Sequence, residues 1–125
     1  MITSILMFFF CSLIPLVMVI FGIVFCITAP KNINMIFGYR TERSMKNEDT
    51  WQFAHKHIGK TWLLLGIPVL IISVVALAIA TGAGDIAVTA VGTGLSIVQM
   101  VVLIASIFPT ERALERTFDK NGNRK

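Results

Sequence analysis

The stretch TWLLLGIPVLIISVVALAIATGAGDIAVTAVGTGLSIVQMVVLIASIFPT, residues 61–110, contains one charged side chain, Asp85. The runs on either side of it, 61–84 and 86–110, each exceed the ~20 apolar residues that a helix needs to cross a hydrocarbon core of ~30 Å. Gly82-Ala83-Gly84-Asp85 between them is a tight hairpin, so the two helices are antiparallel neighbours. A third run without charge covers residues 2–29. In lipid every backbone N–H and C=O must be satisfied within the protein, and a helix does this inside one segment. The expected fold is all-α and integral to the membrane, a single membrane domain. Its transmembrane helices lie at about 2–29, 60–83 and 86–108, with a loop at 30–60 and a tail at 109–125.

Composition supports this. Hydrophobic residues make up 55% and charged residues 14%, with a mean hydropathy of +0.78, against roughly 25% charged in a soluble domain. A soluble bundle would need three long helices with no polar face, which excludes it. A cleaved signal peptide needs a basic start and a short apolar core. Nothing basic precedes the first run, and the run is too long, so a retained helix is expected. Pro15 and Pro68 are the natural kinks, and Pro30 and Pro109 the expected ends of the first and third helices.

The charges set the orientation. Lys31, Arg40, Arg43, Lys46, Lys56 and Lys60 lie in the loop, and Arg112, Arg116, Lys120, Arg124 and Lys125 in the tail, the whole complement of 11. Basic loops stay cytoplasmic. The N-terminus is therefore expected outside a cell membrane and the C-terminus in the cytoplasm. The net charge of +4 then reflects topology and attraction to an anionic lipid bilayer, not nucleic-acid binding.

Cys11 and Cys26 both fall in the first helix, ~22 Å apart, too far to pair with each other. They read as packing residues or as an intermolecular bridge. On the third helix Ala90 with Gly94, and Gly92 with Ser96, are small residues four apart, which allow close helix approach within the chain or in a homo-oligomer. Gln99, near the middle of that helix, needs a partner. It either bonds a neighbouring helix or lines a ligand path. No phosphate-binding glycine loop and no Cys/His zinc spacing is present, so neither cofactor nor metal is expected.

The loop carries the chemical variety. Asn47 is a good helix N-cap, and Glu48 and Asp49 then fall in the first turn, where the helix dipole favours carboxylates. Asn47, Trp51 and His55 are spaced i, i+4, i+8 and share a face, onto which Arg40 could fold back. Read as chemistry, this is a polar patch with an aromatic platform. Read as architecture, Trp51 and Trp62 anchor at the headgroups while Lys46, Lys56 and Lys60 snorkel to phosphates. His55 and His57 point to different faces, which argues against a two-histidine metal site. No nucleophile is placed beside His55, Glu48 or Asp49, so no catalytic residue is assigned and the protein is not expected to be an enzyme.

Gly38, Arg40, Thr41, Ser44, Asn47, Glu48, Trp51, His55 and Gly59 match the spacing of the signature region of the SdpI family, which this segment resembles over residues 32–62. Glu42 and Arg43 stand where the family pattern has Pro-Trp. The namesake is a bacterial membrane protein with more spans that gives immunity to a secreted toxin, so this chain looks like its signature-bearing half. The resemblance implies immunity or resistance to a peptide toxin. It also implies signalling through a cytosolic regulator, because the namesake sequesters a transcriptional repressor. The signature then binds a partner or organises the bundle. The alternatives are a small structural or regulatory membrane subunit, or a membrane enzyme acting on lipid or peptide with His55 as acid-base and Arg40 holding an anion.

Overall fold

The computed structural model describes residues 2–28, 33 and 38–125. Among the described residues four helices follow in order: α1 (Ile2–Ile27), α2 (Glu48–Thr81), α3 (Asp85–Ala105) and α4 (Ile107–Thr117). Three stretches are long and apolar enough to span a membrane: Ile2–Ile27, Glu48–Thr81 and Asp85–Thr117. Their outer faces carry Ile20, Ile72, Ile79, Ile86 and Val101, all exposed. That surface would be costly in water and is at home against acyl chains.

Two boundaries differ from the sequence expectation. The loop helix starting near Asn47 and the second span are one rod of 34 residues, since nothing between them breaks a helix. At ~1.5 Å per residue that rod is ~51 Å long, against a hydrocarbon core of ~30 Å. Its polar end, residues 48–60, is the surplus. The third span breaks at Ser106, not at Pro109. Pro109 instead sits in the first turn of α4, where its missing N–H is no loss. The expected stop at Pro30 lies outside the described residues. α1 ends at Ile27.

α1 and α2 run antiparallel and touch backbone to backbone. A Cβ on Gly22 would stand 3.0 Å from the Gly59 carbonyl oxygen, and one on Gly59 2.9 Å from that of Gly22. α3 returns antiparallel to α2 through a turn in which Gly84, at φ +102°, precedes Asp85.

Gln99 ties the three spans together, and Pro15 explains how. Pro15 has no N–H, so the carbonyl of Cys11, four residues earlier, lacks its helical donor. Gln99 Nε2 donates to that oxygen at 2.7 Å and to Ser73 Oγ of α2 at 2.9 Å. A proline inside α1 thus creates the acceptor that positions α3. The Cys11 thiol bonds the Gly92 carbonyl at 3.4 Å, and both cysteines are free.

The small residues of α3 divide between two faces. Gly92 is buried against Met7, and the Ser96 hydroxyl lies 3.8 Å from Cys11 Sγ, whereas Ala90 and Gly94 are exposed with open space around Gly94. Two residues of helix are ~200° of rotation, so both pairs cannot face one neighbour.

Candidate functional site

At the polar end of α2, residues 38–46, the helix start and the tail form one folded cap. Residues 41–45 make a single turn closed by Met45 N–H on the Thr41 carbonyl, 3.1 Å. Thr41 and Ser44 hold it reciprocally: Thr41 N–H donates to Ser44 Oγ at 2.9 Å and Ser44 N–H to Thr41 Oγ1 at 3.2 Å. Ser44 Oγ also lies 2.9 Å from the Tyr39 carbonyl oxygen, which it can serve as donor.

Asn47 caps α2 in the same manner. Its Oδ1 accepts from Thr50 N–H at 2.9 Å, and its own N–H donates to Thr50 Oγ1 at 3.1 Å. Its amide nitrogen reaches the tail, donating to the Gly122 carbonyl at 2.7 Å. Asp49 and Arg124 pair through two hydrogen bonds of 2.8 and 2.9 Å, which hold the guanidinium more firmly in its charged form. Both side chains are about half exposed, so water screens the pair and it adds little to stability. The Arg124 guanidinium also covers the Phe118 ring at 5.0 Å.

His55 is at the centre and fully buried. Its Nδ1 lies 2.8 Å from the Trp51 carbonyl and its Nε2 accepts from Tyr39 N–H at 2.9 Å. A carbonyl can only accept and an N–H can only donate, so the tautomer with its proton on Nδ1 satisfies both bonds. The ring packs against Trp51, with centroids 4.3 Å apart, and in a T-shaped arrangement against Phe25 of α1, at 4.8 Å. Gly38 lets the loop come this close. At φ +110° it occupies a backbone region open to glycine, and a Cβ there would stand 2.6 Å from His55 Nε2.

Tyr39 links the cap to α4. Its hydroxyl donates to Glu111 Oε1 at 3.1 Å. Burial, and then the adjacent Glu111 charge, raise its pKa above the ordinary phenol value. Trp62 Nε1 donates to Ser106 Oγ at 3.0 Å, which pins the α3–α4 break against α2.

The structure therefore distributes the sequence-derived residues as follows. Gly38, Thr41, Ser44, Asn47, Trp51, His55 and Gly59 are spent on packing and internal hydrogen bonds. Glu48 is exposed in the first turn of α2. Arg40 is exposed at the rim of an apolar groove of about 450 Å³ whose walls include Val17, Phe21 and Phe25 of α1 and Trp62 of α2. Asn47 and His55 do not bond each other directly: Asn47 caps the helix towards the tail and His55 faces α1 and Tyr39, and a chain of hydrogen bonds through Thr50, Ser44 and Tyr39 connects them. Tyr39, Thr50, Phe25, Glu111 and the tail contacts were not read from sequence. Only Thr50 carried a signal, a hydroxyl at the third position after an Asn cap.

An all-helical bundle with three spans and a hydrogen-bonded polar cap at one end defines a small polytopic membrane protein. The SdpI/YfhL protein family matches residues 31–110, which includes the cap turn and the second and third spans, and the chain belongs to that family. "Uncharacterized protein YfhL" of Bacillus subtilis (strain 168) is 30% identical over 99 residues, 79% of this chain and 76% of that protein. No solved structure matches the chain.

Proposed function

We propose that this protein is a non-enzymatic immunity or resistance protein of the bacterial cell membrane, acting against a secreted peptide toxin and able to signal through a cytosolic partner. The resemblance of the signature segment to the SdpI family supports the immunity half. The observation that carries the non-catalytic half is His55, whose two ring nitrogens are both engaged inside a closed core. General acid-base catalysis needs a ring nitrogen within reach of substrate. In this reading the N-terminus lies outside, and the cap lies in the cytoplasm with the basic loop and tail. The cap acts by holding the spans in register and by presenting its outer face, including Arg40 and Glu48, to a partner.

The test is survival of toxin-sensitive cells expressing the protein, normalised to membrane-inserted protein. Wild type should protect, His55→Ala and Arg40→Lys should not, and Lys46→Ala and Lys56→Ala should be near neutral, since one charge near anionic lipid is worth ~1 kcal/mol. Absence of protection by wild type at full membrane levels would overturn the reading. A reporter fused after Lys125 should be active only as a cytoplasmic fusion, and one inserted at Asp85 only outside. The second reading, a structural or regulatory subunit, is favoured by the exposed Ala90/Gly94 face of α3. Stable co-purification with another membrane protein, lost in Gly94→Leu, would select it.

A further inference from the structure

The break between α3 and α4 opens a second cleft, on the side of α2 that carries His57. It has a volume of about 580 Å³, and its walls are His57, Ala105, Phe108, Pro109, Arg112 and Arg116, with Ala113 behind them. Its polarity changes along its length. At the membrane end Ala105 and Phe108 are exposed and continue the outward apolar stripe of Val101 and Ile104. One turn further, Arg112 and Arg116 follow Phe108 at intervals of four, on the same face of α4. Neither arginine makes a hydrogen bond or ion pair with the described residues. His57 is fixed from behind, its Nδ1 lying 2.9 Å from Thr110 Oγ1, and Lys60 adds positive potential nearby. No carboxylate lines the cleft among the described residues.

We infer that this cleft binds an anionic phospholipid, with its phosphate between Arg112, Arg116 and His57 and an acyl chain along Phe108, Ala105 and the outer face of α3. The chemistry on both sides favours a lipid over a free anion. Two unpaired guanidinium forks suit a phosphate, which each can bond through two N–H groups. The apolar half of the cleft leads onto a surface that meets acyl chains, and an inorganic ion would leave it unused. Charge and apolar contact occur in the order that a lipid presents them, head beyond tail. Lipid binding here is independent of the immunity reading and would stand if that reading failed.

The experiment uses the full chain in detergent with equimolar phosphatidylglycerol and phosphatidylcholine, and retained lipid counted by native mass spectrometry. Wild type should retain phosphatidylglycerol in excess. Arg112→Ala should weaken this retention about five-fold and the double variant Arg112→Ala/Arg116→Ala more than ten-fold, from ~1 kcal/mol per basic side chain. Phe108→Ala, which leaves every charge in place, should lower retention of both the head and its chain. Lys125→Ala removes an equal charge elsewhere and should change nothing. All four positions are exposed, so the variants should keep the helical circular dichroism of wild type. Equal retention of the two lipids, an equal loss in Lys125→Ala, or displacement of phosphatidylglycerol by millimolar inorganic phosphate would overturn the assignment.

Discussion

Gly38→Ala isolates the contact on which the cap depends. The added methyl meets two obstacles. At φ +110° an L-residue is strained by ~1–3 kcal/mol. In addition, the Cβ would stand 2.6 Å from His55 Nε2 and 3.2 Å from the Trp51 ring, so the loop or the histidine must retreat. Retreat breaks the 2.9 Å bond from Tyr39 N–H and leaves a buried donor and acceptor unpaired, a further ~1–3 kcal/mol. The total is ~2–6 kcal/mol. For a chain of this size that lowers the melting temperature by roughly 8 °C or more. The assay is thermal unfolding in detergent, followed by helical circular dichroism. Gly94→Ala serves as control, because a Cβ there meets nothing. The His55→Ala background separates the costs: with the imidazole removed, the additional loss from Gly38→Ala should fall to the backbone strain and the tight contact with Trp51. A Gly38→Ala protein that melts with wild type would refute the geometry, and additive losses in the double variant would refute the coupling to His55.

Three further outcomes follow from the packing of the spans and the cap. Gln99→Leu leaves the Cys11 carbonyl without a donor and should cost ~1–3 kcal/mol. Pro15→Ala should recover much of that loss in the same thermal assay, since it restores a backbone N–H that can donate to the Cys11 carbonyl; no recovery would remove the link between the proline and the glutamine. Gly92→Leu collides with Met7 and should lower the melting temperature, whereas Gly94→Leu should leave the isolated protomer unchanged and alter only oligomer size, read by size-exclusion with light scattering. Arg124→Ala should leave the melting temperature nearly where it is in wild type, because its pair with Asp49 is exposed and screened.

The parts of the fold that were legible in the sequence are those that depend on neighbouring residues. Uncharged runs, the Gly82–Asp85 hairpin and the Asn47 cap are local, and each appears in the structure near its expected place. The family signature was also legible as a spacing, though not as a geometry. Trp51 and His55 share a helix face, as their spacing requires, but the sequence left open whether that face meets solvent or protein. It meets Phe25 of α1 and Tyr39 of the loop, 30 and 16 residues away from His55 in the chain. The helix at Ile107–Thr117 escaped because its charges read as a tail and Pro109 read as a stop, whereas a proline in a first turn is also a start.

By itself the sequence determined that the chain is helical, that it crosses a membrane three times by length and composition, and that its cations cluster in one loop and one tail. Hydropathy and charge are summed over contiguous residues, and the bilayer reads those sums directly. Only the tertiary structure decided that Trp51 and His55 of the signature face inward while Arg40 and Glu48 face outward, that Pro15 leaves the Cys11 carbonyl to Gln99, and that Arg112 and Arg116 share a cleft with His57. Each of these depends on which residues distant in sequence arrive within bonding distance, and that is set by how helices pack, through Gly22 against Gly59 and the break at Ser106.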